Sequence, residues 1–318
     1  MALHPLIVAT DRVLFLISIP SFALYVVLLF ILIRKRRVSP FESGYFRLCL
    51  FLGAADCGQT LFNTYGLRNA AVDATRAATT SATLATAVDI LQAFWLTWQI
   101  LAVLLTALNR FVGVLLPAKW FGGRVLLVWM CVALLVDLGA CGNAIRVGVV
   151  RYNETTGRFY RDPEAEGAAE IVAVLLFLVC TALCALLYGT AFAALTWRRL
   201  HSKLAAAAAA ASSRQASVET RLAICGALTA MLQLVAAVSV LAIQFLSEPL
   251  HRTLAEMVFR TSLALYTWMN PYLLLLMSSA TRAAFVELLR EVATRTGIAD
   301  GRESTRVFSQ RGSGRARK

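Results

Sequence analysis

The stretch Asp89-Ile90-Leu91-Gln92-Ala93-Phe94-Trp95-Leu96-Thr97-Trp98-Gln99-Ile100-Leu101-Ala102-Val103-Leu104-Leu105-Thr106-Ala107-Leu108-Asn109-Arg110-Phe111, which runs on to Pro117, decides how this chain folds. As an α-helix rising 1.5 Å per residue it is long enough to cross the ~30 Å apolar layer of a bilayer. A step of 100° per residue gathers Asp89, Gln92, Gln99, Thr106 and Arg110 within an arc of roughly 100°, with aliphatic side chains around most of the remainder. Polar groups facing hydrocarbon are costly, so a helix in lipid turns such a stripe toward other helices or toward water. The stretch predicts a central helix of a membrane-embedded bundle. It ends in an arginine, with a proline seven positions later.

Composition agrees with that reading. The 318 residues are 59% hydrophobic and 15% charged, with a mean hydropathy of +0.68, whereas a soluble domain is nearer about 25% charged. Seven apolar runs of spanning length occur, roughly 13–33, 45–65, 84–110, 124–145, 168–197, 219–247 and 253–278. The fold expected is an all-α seven-transmembrane helix bundle. Pro20 and Pro271 interrupt the first and last runs, which is tolerable where a neighbouring helix satisfies the freed carbonyl. The first twelve residues lack a basic n-region, and the apolar run after Arg12 is too long for a signal-peptide core. The first spanning helix is therefore expected to serve as its own insertion signal. Cys49, Cys57, Cys131, Cys141, Cys180, Cys184 and Cys225 all fall in apolar runs without metal-type spacing, and read as small core residues.

Orientation follows from where Lys and Arg fall. The segments that are inner if the N-terminus is outside hold Arg34–Arg37 and Arg47, then Arg110, Lys119 and Arg124, then Arg198, Arg199, Lys203, Arg214 and Arg221, and nine more from Arg282 to Lys318. The alternate loops hold about a third as many. An outside N-terminus and a cytoplasmic C-terminus are expected, with the protein in the plasma membrane. The net charge of +13 is then a topology signal directed at anionic inner-leaflet lipid and not a nucleic-acid site. The sequon Asn153-Glu154-Thr155 falls in a loop this orientation puts outside, making Asn153 a candidate glycosylation site.

Two further segments stand out. The run Ala205–Ala211 has the best helix propensity and is expected either to extend the fifth helix past the membrane or to be a low-complexity insertion. Residues 279–293 set Ala283, Ala284, Phe285, Leu288 and Leu289 against Arg282, Glu287, Arg290 and Glu291. That is a short amphipathic helix suited to the inner surface. Residues 1–293 thus form one helical domain, and 294–318 a basic, disordered cytoplasmic tail.

Seven helices, Arg110 at the inner end of the third with Pro117 after it, Asp56 in the second and Asn270-Pro271 in the seventh together resemble a G-protein-coupled receptor. Departures from the rhodopsin-like pattern are Asn109-Arg110-Phe111 in place of Asp-Arg-Tyr, Leu274 at the usual tyrosine position after Asn-Pro, a sixth helix without proline, and no cysteine pair joining the third helix to the second outer loop. The chain is more similar to the nematode serpentine chemoreceptors, notably the gamma and V classes, over residues 13–290. The resemblance rests on Pro20-Ser21-Phe22-Ala23-Leu24-Tyr25, on Phe41-Glu42-Ser43-Gly44-Tyr45-Phe46, and on Leu108-Asn109-Arg110-Phe111 with Pro117 and Trp120. It implies a chemosensory receptor that binds a small molecule from outside and couples to a heterotrimeric G protein. No cofactor, no metal and no catalysis are implied.

Within that frame three constellations are candidates for function. Asp56 lies nine residues, about 13 Å along the axis, from Arg47, near mid-bilayer, where an acid is by default functional. Gln99 and Asn270 lie at similar depth. Asp56, Gln99, Asn270 and Pro271 then form either an activation switch or a satisfied network that fixes helix packing. Asn109, Arg110 and Phe111 are either a snorkelling anchor or, as the resemblance implies, the G-protein contact, with Tyr188 as inner-side partner. Asp89, Gln92 and Trp95 share a level with Arg260 and line either a ligand pocket or an Asp89–Arg260 ion pair packed among aromatics. Asp137 is a further intramembrane acid with no partner evident in the sequence.

Other functions fit less well. A transporter or channel would show paired repeats or broken helices in two halves, and Pro20 and Pro271 have no repeated counterparts. A metal-dependent membrane enzyme needs converging ligands, whereas His4, His201 and His251 are scattered over loops and the terminus. A retinal photoreceptor needs a lysine in the seventh helix for the Schiff base, and there is none.

Overall fold

A computed structural model of the chain describes residues 3–63, 82–115, 123–146, 151–153, 158–160, 163–202, 209–246 and 248–295. The helices are α1 (Leu3–Lys35), α2 (Gly44–Asn63), α3 (Ala82–Leu115), α4 (Gly123–Arg146), α5 (Pro163–Ser202), α6 (Ala209–Phe245), α7 (Pro249–Met277) and α8 (Ser279–Arg295). Strands β1 (Arg151–Asn153) and β2 (Arg158–Tyr160) pair antiparallel between α4 and α5. This hairpin packs against α3 and marks one end of the bundle, which we call the hairpin end. Arg110 marks the other.

Several helices run past the sequence-predicted limits. The third was expected to finish at residue 110. Instead α3 continues to Leu115, because nothing before Pro117 removes a backbone donor, and proline disfavours helical geometry only in the residue that precedes it. Arg110 is therefore a helix-interior residue. The polyalanine run is also placed differently. α5 ends at Ser202, Ala209–Ala211 open α6, and residues 203–208 lie outside the described residues. The expected tail beyond residue 295 lies outside them as well.

Arg12–Lys35, Ala93–Leu115, Val174–Trp197 and Gly226–Phe245 are each long and apolar enough to cross a bilayer unaided. α2 is less apolar because Asp56, Gln59 and Thr60 interrupt it. All three are buried, so the stripe faces other helices. Large apolar side chains cover the outside instead, among them Leu16 and Phe30 on α1, Leu127 and Leu135 on α4, and Leu186 on α5. Such a surface would associate in water and is at home in hydrocarbon.

α3 is central, packing against α2, α4 and α5, while α7 packs against α1, α2, α6 and α8. The main core joins Leu48 and Phe51 of α2 to Val103 and Leu105 of α3, Leu126 of α4, Tyr188 of α5 and Tyr266 of α7. The chain turns by 93° between α7 and α8. Ser278 makes the corner. Its N–H donates to the Leu274 carbonyl at 3.1 Å, and its hydroxyl accepts from the Thr281 N–H at 3.2 Å, which caps α8. The Arg282 guanidinium donates back to the Leu275 carbonyl at 3.0 Å and to that of Leu276, satisfying the end of α7. Leu28, Ile31 and Leu32 of α1 pack on Ala284 of α8, with Leu288 at the edge of that cluster. Arg34–Glu291 at 2.7 Å and Lys35–Glu287 at 2.8 Å flank this contact. These ion pairs are exposed, so packing is the larger contribution.

Candidate functional site

Asp56 is the centre of the buried polar network, and four helices supply it. The carboxylate is fully buried on α2. Its Oδ2 accepts from the Tyr25 hydroxyl of α1 and from Asn270 Nδ2 of α7 at 2.8 Å, and its Oδ1 accepts from Gln99 Nε2 of α3. Three donors on one carboxylate all stabilise negative charge, which offsets the loss of water at this depth. Gln99 Nε2 also donates to Thr267 Oγ1 at 2.9 Å, and that hydroxyl in turn donates to the Leu263 carbonyl at 2.9 Å. A hydroxyl whose proton is committed to a carbonyl presents its lone pairs to the amide, so the directions are consistent.

Pro271 sits next to Asn270 inside α7. Its ring lacks the N–H that would close the ladder to the Thr267 carbonyl. The helix is thus weakened beside two residues of the network. One turn away, Ser21 of α1 and the Tyr272 hydroxyl meet at 3.1 Å.

The structure brings Asp56, Gln99 and Asn270 together, as their depths predict. It adds Tyr25 and Thr267, which depth alone did not single out. Tyr25 stands in the Pro20–Tyr25 signature, and a tyrosine at mid-membrane on an otherwise apolar helix was the signal available.

Below the network, toward Arg110, lies a cavity of about 80 Å³. Tyr25 and Asn270 line its upper part, and Tyr45, Thr106, Arg110 and Tyr188 line it further along. Through Tyr25 and Asn270, which both donate to Asp56, this cavity links the network to Arg110.

The Arg110 guanidinium lies over the Tyr45 ring, 3.6 Å from the centroid, and Tyr188, its expected inner-side partner, lines the same cavity. The cation meets the negative face of an aromatic ring that opens α2. Nη2 is buried and makes no hydrogen bond among the described residues. Tyr188 shares the cavity but abuts α6, where a Cβ on Gly226 would fall 2.0 Å from its ring. Asn109 and Phe111 are partly buried beside Arg110.

Of the third constellation, Trp95 and Arg260 lie among the residues whose side chains are described. Trp95 faces α2, where its indole fills the space above Gly58, and it stacks on Trp98 with centroids 5.2 Å apart at 16°. An indole packed on a glycine of α2 is part of the α2–α3 interface. Arg260 is on the exposed face of α7. The side chains of Asp89 and Gln92 lie outside the described residues, as does that of Asn153 at the end of β1. Asp137 is fully buried on α4, and neither of its oxygens is hydrogen-bonded among the described residues.

The sequence profile described as serpentine type 7TM GPCR chemoreceptor Srv matches residues 14–290. The chain belongs to this family. Its fold is also that of a solved receptor: the crystal structure of squid rhodopsin superposes with a TM-score of 0.64, at 14% identity, over 89% of this chain and 87% of that one. At that identity the likeness concerns the fold alone. No curated protein matches the chain in sequence. This Srv receptor is thus a multi-pass membrane protein and a G-protein-coupled receptor, with a buried acid network at mid-bundle and an arginine held by a ring instead of by an acid at one end.

Proposed function

We propose that this receptor resides in the plasma membrane with its N-terminus outside, binds a small molecule from the hairpin end, and couples through the Arg110 end to a heterotrimeric G protein. The supporting observation is the Asp56 carboxylate, which ties α1, α3 and α7 to α2 and whose partners Tyr25 and Asn270 line a cavity reaching Arg110. A ligand that favours a different arrangement of α7 against α3 has to rearrange these bonds, and the cavity carries that change to the Arg110 end. Asp56, Gln99, Asn270 and Pro271 form the switch in this reading. Asn109, Arg110 and Phe111 form the G-protein contact, with Tyr45 as the resting partner of Arg110.

Orientation has a direct check. An N-terminal epitope on intact cells is expected to bind antibody, and a C-terminal one only after permeabilisation. Staining of both, or of neither, before permeabilisation rules the assignment out. The same topology places Asn153 outside, where a glycan would show as a mass shift removed by amidase.

Tyr45 tests the resting contact. Cation–π attraction is worth about 0.5–2 kcal/mol, so Tyr45→Leu is expected to raise agonist-independent signalling in a G-protein reporter assay about two- to thirtyfold. Tyr45→Phe keeps the ring face and is expected to stay near the parent. Equal effects from both substitutions would mean that the ring does not restrain Arg110.

A further inference from the structure

Arg110 brings a full positive charge into the bundle, and no carboxylate meets it. Among the described residues its guanidinium makes no ion pair, and Nη2 is buried without a hydrogen bond. The carboxylates described at this end are engaged or turned to solvent: Glu291 holds Arg34, Glu287 holds Lys35, and Glu42 is exposed. Asp56 is too far away. Gln99, which donates to it, precedes Arg110 by eleven positions, about 16 Å along α3. The Tyr45 ring face offsets part of the water that the guanidinium loses. It adds no counter-charge, and a cation withdrawn from water without one is costly.

The same arginine, itself partly exposed, lines the cavity of about 80 Å³. One water needs about 10–15 Å³ of such space, so a single halide, slightly larger than a water, has room. Leu28, Leu32, Leu52 and Leu273 give this space an aliphatic wall, and Arg110 gives it a charge. The guanidinium turns its face to Tyr45, which leaves its N–H edge for an acceptor. Charge and wall together select the occupant. One fixed positive charge is balanced by one negative charge, whereas a divalent anion would carry its excess into the bundle. An aliphatic wall returns few hydrogen bonds, so an anion that holds its water loosely loses least on entering.

We propose that the cavity beside Arg110 binds one small monovalent anion, chloride or a more weakly hydrated relative, which supplies the counter-charge that no described carboxylate provides. The site stands on the cavity and the charge, so it holds whichever partner the Arg110 end engages.

The test uses the full-length purified receptor and thermal unfolding read by a thiol-reactive fluorophore, which reports exposure of the buried Cys180 and Cys184. Sodium gluconate, whose anion is too bulky for the cavity, is replaced stepwise by chloride, bromide, nitrate or sulfate at constant ionic strength. The three monovalent anions are each expected to raise the midpoint along a saturating curve, by about 2 °C or more at about ten times the dissociation constant. Sulfate is expected to leave it near the gluconate value. That order is opposite to the general salt effect, in which sulfate stabilises through exclusion from the protein surface. Arg110→Gln removes the charge, and Leu273→Phe adds volume at the cavity wall while keeping the charge. Each is expected to abolish the rise, and Leu273→Phe decides the matter if Arg110→Gln fails to fold. No rise in the parent, a rise that never saturates, one that is largest with sulfate, or one that persists in either variant overturns the proposal.

Discussion

Asp56→Asn is expected to change agonist-driven signalling about tenfold or more while surface expression stays within about twofold. The substitution conserves volume, so the packing around it survives. It replaces one acceptor oxygen by an amide that must point at the Tyr25 hydroxyl and Asn270 Nδ2, or at Gln99 Nε2, all of which donate to the carboxylate. Hydrogen bonds to a charged group are worth about 1.5–3 kcal/mol each, and losing one from a network shared by α1, α3 and α7 shifts a two-state equilibrium by at least tenfold. Asp56→Leu goes further. It strands three buried donors at about 3–5 kcal/mol, and most of that variant should fail to reach the surface. The pair of measurements is surface immunostaining beside a G-protein reporter. Parallel loss of signal and expression in Asp56→Asn would reduce the network to a packing device.

The second large effect concerns Gly58. A Cβ there would fall 2.2 Å from Cδ2 and 2.3 Å from Cε3 of Trp95, well inside contact distance. The indole has nowhere to retreat, because it stacks on Trp98, which is itself 5.2 Å from Phe51 and 5.4 Å from Phe94. Gly58→Ala is therefore expected to destabilise the receptor by about 2–3 kcal/mol, lowering the thermal midpoint by several degrees. Gly189 is the matched control. Its Cβ would meet nothing within 4 Å, and alanine there should be neutral or slightly stabilising through helix propensity. If the two alanine variants unfold together, the α2–α3 packing described for Trp95 is wrong.

Much of this architecture is legible without coordinates. In hydrocarbon, sequence periodicity reports directly on which face of a helix is turned inward, so the stripe on residues 89–110 and the isolated Asp56 announce a bundle with a polar centre. Residue counts from the basic helix ends set depth to within a turn, which is why Asp56, Gln99 and Asn270 could be grouped in advance. The same counts did not say that Trp95 packs on Gly58 of α2 or that Tyr188 packs on Gly226 of α6, since depth and azimuth leave open which adjacent helix a side chain meets and how closely two backbones approach. The close approaches at Gly58 and Gly226 resolve that, and neither glycine is distinguished by its local sequence.

From its residues alone the chain determined that it is a seven-helix membrane bundle with an acid at mid-depth and an arginine toward one end, because burial in lipid constrains composition, length and periodicity on every helix separately. Which groups touch was decided by the tertiary structure: Tyr25 and Thr267 on the Asp56 network, and Tyr45 beneath Arg110. Those contacts join residues as many as 168 positions apart, and they depend on crossing angles and glycine notches that no single helix encodes.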